Sequence, residues 1–227
     1  MKKISSLFTL MLCLSVFGQD SYLGLYSGLS NTGISGQNYV PNAKRGIYYT
    51  GGFNYSLVWK SGFFFGFDVL YEQKGFSTDE NQIVNGELFE DGLRWNFDHF
   101  GAAVKLGYVY EIQRGHRIFT NALFQYNSLL TSNVEVMKVN NAGTLTNTAI
   151  ANIPNTRPED YLAGIGLGYS TSLADRLAGS IELRYTGSIQ NHHVATLPQR
   201  QGFHTAYQLL VGIKFPLEAK NLCDTCP

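Results

Sequence analysis

Residues 203–215 read Phe-His-Thr-Ala-Tyr-Gln-Leu-Leu-Val-Gly-Ile-Lys-Phe. Taken two apart, one side is Phe203, Thr205, Tyr207, Leu209, Val211, Ile213 and Phe215. The other side is His204, Ala206, Gln208, Leu210, Gly212 and Lys214. Successive side chains of a strand point to opposite faces, so this run forms a strand with one oily face and one mixed face of small, polar and charged residues. Aromatics stand at both ends of the oily face, the levels at which a bilayer has its interfaces. A strand built this way predicts a transmembrane β-barrel, with this strand closing it.

The alternation recurs upstream, in runs at 21–29, 47–59, from 63 through Lys74, 95–110, 117–130, 161–173 and 177–185. The connections between runs alternate in length. Residues 30–45, 77–93, 132–158 and 187–201 are long and polar, while 60–62, 113–116 and 174–176 are short. Outer-membrane barrels have short periplasmic turns, long extracellular loops and an even number of strands. The predicted fold is therefore all-β, an eight-stranded antiparallel up-and-down transmembrane β-barrel behind an N-terminal signal peptide. Both termini are expected in the periplasm, and the four long loops at the cell surface.

Which face points outward does not follow from periodicity, since a secreted ligand-binding barrel would turn its apolar side in. The distribution of charge favours apolar outward. Phe65, Phe67, Val104, Leu106, Ile165, Leu167, Ile181, Leu183, Leu209, Val211 and Ile213 form an uncharged face and are expected to touch lipid. Asp68, Glu72, Lys74, Lys105, Glu182, Arg184 and Lys214 fall on the opposite face, mixed with small residues. An eight-stranded barrel is just wide enough for side chains to fill it, and an unpaired charge there is costly. Asp68, Glu72 and Glu182 are expected to pair with Lys105, Arg184 and Lys214 as a structural network, in a lumen filled by side chains that leaves no ion pathway.

The N-terminal run sets the compartment. Lys2 and Lys3 precede an apolar stretch from Leu7 to Phe17, and Gly18 is a small residue suited to cleavage. Residues 1–18 are expected to be a signal peptide, 19–216 the barrel and 217–227 a periplasmic tail. Cys13 raises the lipoprotein alternative, but Leu12 before it is too large for such a site. Cys223 and Cys226 in the tail suit a local disulfide in an oxidising compartment. They are too few for a metal site, and no cofactor is expected. The formal net charge of zero leaves no basic surface for nucleic acid.

Enzymatic readings find little support. His192, His193 and Ser188 lie in the last long loop, but nothing brings a nucleophile, base and orienting group together. Gly164, Gly166 and Gly168 lie in a strand, where glycines relieve crowding, whereas a nucleotide fingerprint opens a helix. The acidic loop with Asp79, Glu80, Glu87, Glu90 and Asp91 lacks the ligand spacing of a known calcium loop.

The chain resembles the small outer-membrane barrels of the PorT-like family of Bacteroidetes-type bacteria, similar in plan to OmpX and the barrel domain of OmpA. The resemblance is carried by Leu23-Gly24-Leu25-Tyr26-Ser27-Gly28-Leu29, by Tyr71-Glu72-Gln73-Lys74-Gly75-Phe76 and by Val211-Gly212-Ile213-Lys214-Phe215. It implies insertion by the barrel-assembly machinery, with Phe215 as the aromatic end of the assembly signal, although Pro216 to Pro227 follow it here. The expected function is that of a non-enzymatic, porin-like-family barrel. Its partners would be outer-membrane lipid and an unknown extracellular ligand or protein. The alternatives are a lipid-modifying acyl hydrolase or transferase using His192 or His193, and a secretion-system accessory barrel.

Overall fold

The computed structural model describes residues 20–36, 43–78, 82–84, 87–89, 93–139, 145–151, 157–174, 176–191 and 202–217. The expected leader, the tail cysteines Cys223 and Cys226, and the loop histidines His192 and His193 lie outside the described residues.

Eleven strands follow one another: β1 (Asp20–Ser35), β2 (Lys44–Val58), β3 (Phe63–Thr78), β4 (Gln82–Val84), β5 (Glu87–Phe89), β6 (Leu93–Gln113), β7 (His116–Val139), β8 (Leu145–Ala151), β9 (Glu159–Ala174), β10 (Leu177–Ser188) and β11 (Phe203–Leu217). Eight of them form the ring β1-β2-β3-β6-β7-β9-β10-β11, and β11 pairs back with β1. Every pairing is antiparallel, between strands that follow one another around the ring. This is the closed up-and-down eight-stranded barrel that the alternation predicts. Closure removes the sheet edges that would otherwise expose unpaired backbone groups.

The three tight connections lie at one end, with the start of β1 and the end of β11. The connections β1–β2, β3–β6, β7–β9 and β10–β11 lie at the other, the loop-side end. Two of the tight turns use glycine where the backbone enters the left-handed region: Gly62 has φ +88° and Gly115 φ +80°.

Two long connections hold more strand than the alternation suggests. Residues 77–93 contain the hairpin β4–β5, whose arms of three residues each are too short for a period of two to show. Residues 132–158 are not wholly loop. β7 runs on to Val139 and pairs with β8 from Asn133↔Ala151 to Val139↔Leu145, carrying a hairpin arm beyond the ring. The Asn and Thr content of this segment suggests a loop, but its backbone pairs as strand.

At the seam between β1 and β11, large luminal residues face small ones. Gly24 is opposite Lys214, Tyr26 opposite Gly212, Gly28 opposite Leu210, Ser30 opposite Gln208 and Thr32 opposite Ala206. A Cβ on Gly28 would lie 2.0 Å from the Leu209 carbonyl oxygen, so only glycine lets the two strands approach this closely.

The outer face carries the apolar belt. Leu106, Ile165, Leu167, Leu183 and Val211 are each more than half exposed. Val104, Ile181, Leu209 and Ile213 are also exposed, and Phe65 and Phe67 partly so. Aromatic rings border the belt. Phe63, Tyr108, Tyr110 and Phe215 stand toward the tight turns; Tyr49, Phe100, Tyr185 and Tyr207 stand toward the loops. Tyr185 packs on Tyr207 with ring centroids 5.1 Å apart, and Phe63 meets Tyr108 edge-on at 5.4 Å. Beyond the loop-side ring the outer face turns polar. Arg45 stacks over Tyr207 at 4.8 Å and donates to the side-chain oxygens of Asn31 (2.6 Å) and Thr205 (2.8 Å). Gln73 donates to Asp98 at 3.2 Å. With 21 residues in β6 and 24 in β7, the strands exceed the roughly 9–11 residues that cross a bilayer and extend past it on this side.

Candidate functional site

Among the described residues, charged side chains gather out of solvent in the lumen, and its two halves differ. In the loop-side half, Lys74 is fully buried and reaches Asp160 at 2.9 Å and Glu72 at 3.5 Å. Glu72 also accepts from Gln208 (2.6 Å), Gln125 (2.9 Å) and Asn127 (3.0 Å). A carboxylate taken out of water loses several kcal/mol of hydration, and three amide donors plus an ammonium are what such a group needs. Around this cluster Phe76, Phe97, Leu70 and Leu162 are buried, with His99 and His204 among them. The His204 ring meets Phe97 edge-on at 5.3 Å.

Midway along the barrel lies a layer built on Asp68. Its oxygens take Lys105 (2.9 Å), Arg184 (3.1 Å) and the Asn54 amide (2.6 Å). Arg184 spans to Glu182 at 3.1 Å, and Asn121 donates to the same Glu182 oxygen at 3.2 Å. Planar guanidinium geometry lets one Arg tie two carboxylates together. A Cβ on Gly166 would come within 2.5 Å of Glu182 Oε1, so the glycine makes room for the layer.

Toward the tight turns the packing stops. The expectation of a lumen filled by side chains fails here, because a cavity of about 350 Å³ opens at this end. Its walls are strand segments whose inward residues are small: Gly24, Ser56, Ser170, Ala178, Ser180 and Gly212. Phe64 and Phe119 meet edge-on at 6.4 Å and supply apolar wall.

Lys214, expected in the ion network, stands in this cavity instead. Among the described residues it has no carboxylate within ion-pair distance; its ammonium sits 4.7 Å from the centre of the Phe119 ring. Arg117 also lines the cavity and donates to the Tyr22 hydroxyl at 2.8 Å, again without a carboxylate within ion-pair distance among the described residues; Glu111 and Asp20 lie farther off.

Of the seven charged residues placed in the lumen by alternation, six take part in these ion pairs, together with Asp160. Asp160 precedes the run read as strand from residue 161; extending the period of two back from Leu162 would have reached it. Phe119 and Leu123 blurred the alternation of β7 because the lumen is not uniformly polar, and both are buried within it. Near the turns, the His116 ring lies 2.5 Å from the Tyr169 hydroxyl. Among the described residues no three His, Cys, Asp or Glu side chains gather as a metal site, and no helix is long and apolar enough to cross a membrane.

No protein-family model matches the chain, and no curated protein does. Among solved structures it is similar to the outer membrane protein OprG from Pseudomonas aeruginosa, with 8% identity over 89% of this chain and 98% of that one at a TM-score of 0.49. It is similar to Neisserial surface protein A, with 9% identity over 85% and 96% of the two chains at 0.45. It is also similar to Ail, the attachment invasion locus protein of Yersinia pestis, with 8% identity over 87% and 100% at 0.41.

Proposed function

We propose that the chain is an integral outer-membrane barrel that is not an enzyme and acts through contacts made by its loop-side end. The observation that carries this is the inversion of its two surfaces. Ionised groups are buried and hydrogen-bonded inside, while Leu106, Ile165, Leu167, Leu183 and Val211 stand exposed around the outside. Isolated exposed apolar residues are ordinary on soluble proteins, but a continuous belt is not, and aromatic borders fit a bilayer.

In this reading the long connections face the cell exterior and are where a ligand or another protein is met. The tight turns and both ends of the described chain face the periplasm. The charged network of Asp68, Glu72, Lys74, Lys105, Glu182 and Arg184 serves structure, holding the ring of strands in one register. The barrel-assembly machinery would insert the chain by its terminal strand, and the PorT-like resemblance adds an accessory part in secretion as the finer reading.

Detergent electrophoresis tests the barrel directly: the unheated protein should run as a compact band that shifts on boiling. A protein that stays monomeric in buffer without detergent would overturn the reading. Cysteines placed singly at the exposed positions Ser35 and Arg114, in a chain whose Cys223 and Cys226 are replaced by serine and probed on intact cells with an impermeant thiol reagent, test the orientation. Labelling at 35 alone is expected, and labelling at 114 alone reverses it.

A further inference from the structure

We infer that the turn-side cavity is a binding site for a small amphipathic organic anion, a carboxylate or phosphate monoester on a compact apolar body, with Lys214 as its principal cation. A cavity of about 350 Å³ lies within the range of ligand pockets and has room for on the order of ten water molecules. Its charges do not balance. Lys105 is committed to Asp68 and Glu182 to Arg184, which leaves Lys214 and Arg117 with no carboxylate within ion-pair distance among the described residues; Asp68 and Glu182 act on Lys214, and Glu111 and Asp20 on Arg117, only from farther off. The remaining acid at the mouth, Asp20, is exposed, takes the Tyr22 hydroxyl at 3.5 Å and lies beyond ion-pair distance of both Arg117 and Lys214.

An ammonium in a narrow, half-apolar space is costly unless an anion or water accompanies it. The other ionised groups of the lumen are met by designed-in partners, three of them at Glu72 alone. Lys214 is met by an aromatic face and open volume. Ser56, Ser170 and Ser180 offer hydroxyl donors around the same space, and the Phe64–Phe119 pair offers a surface for a ring or short alkyl group. The cavity is blind. The Asp68–Arg184 layer and the packed loop-side half close it above, so a ligand enters and leaves from the end with the tight turns. That this end samples the periplasm rests on the proposed orientation; binding in a detergent micelle does not.

The test uses the full chain folded in detergent, titrated with benzoate, phenyl phosphate and the uncharged benzyl alcohol, and followed by calorimetry and by NMR of the lysine side chains. Saturable binding of at least one anion is expected, with benzyl alcohol at least about ten-fold weaker, since charge-assisted hydrogen bonds carry the recognition. The Lys214 ε-methylene signal should move with the same midpoint. Lys214→Gln should weaken binding about ten-fold or more, while Lys214→Arg should retain it within a few-fold. Saturation by neither anion, equal binding of the alcohol, or an unchanged Lys214 signal would overturn the inference from the wild-type protein alone, whatever the variants do. Binding of the anions by protein that fails the electrophoretic test of the barrel would separate this site from the membrane reading.

Discussion

The two halves of the lumen are built from the same eight strands, yet one is closed and the other open. In the loop-side half Lys74 is enclosed with two acids and Glu72 carries three amides. In the turn-side half Lys214 faces a ring and empty volume. Barrel radius cannot be the cause, since strand number sets it for both halves. The difference lies in the inward side chains. Above stand Phe76, Phe97, Leu70 and Leu162; below, Phe64 and Phe119 are interspersed with serines, an alanine and glycines that leave space between them. An eight-stranded barrel is thus wide enough for a ligand wherever its own residues decline to fill it.

The sharpest way to break this contrast is Lys74→Met. It removes the ammonium that reaches both Asp160 and Glu72 in the closed half, with an expected loss of about 3–5 kcal/mol in urea unfolding from phospholipid vesicles. A loss below about 1 kcal/mol would mean that water reaches the cluster.

Truncating luminal leucines compares the halves directly. Leu162→Ala in the packed half should fall in the upper part of the roughly 2–5 kcal/mol range for such changes, and Leu210→Ala beside the cavity in the lower part, by the same assay. Equal losses would contradict the difference in packing.

Gly168→Ala probes the border. The new Cβ would lie 2.1 Å from Phe119 Cζ and 2.7 Å from the Ile181 carbonyl oxygen; the ring has the cavity to move into but the backbone does not, so the loss should fall in the upper part of about 1–3 kcal/mol and the Phe119 ring signals should shift. The smallest effect is expected for Lys214→Met, within about 1 kcal/mol of wild type and even stabilising, because no buried partner is stranded. A loss comparable to that of Lys74→Met would show that Lys214 belongs to the ion network after all.

The contrast also explains what could be read from the residues alone. Strand existence and the ring order followed from alternation and loop lengths, because a one-step slip would put Leu209, Val211 and Ile213 into the lumen. Alternation assigns a residue to a face, and nothing more. It placed Lys214 and Lys74 on the same face without distinguishing their depth or neighbours, which depend on the height at which tilted strands meet. Asp160 was out of view for a related reason. It stands at the start of β9, after a polar connection, and Lys74 reaches it from across the barrel. The cavity is a property of several strands at once. Gly24, Ser56, Ser170 and Ser180 are unremarkable one by one and open a space only when closure brings them together.

The seam between β1 and β11 bears on how the ring is completed. A slip of one residue is rejected by the bilayer, but a slip of two keeps every oily residue outside and every polar one inside, so hydrophobicity cannot detect it. Size can. Moving β11 by two residues sets Tyr26 against Leu210 or Lys214 in place of Gly212. The alternation of bulky and small partners thus acts as a ratchet with unequal teeth, and the seam itself rejects the slip that the bilayer would accept.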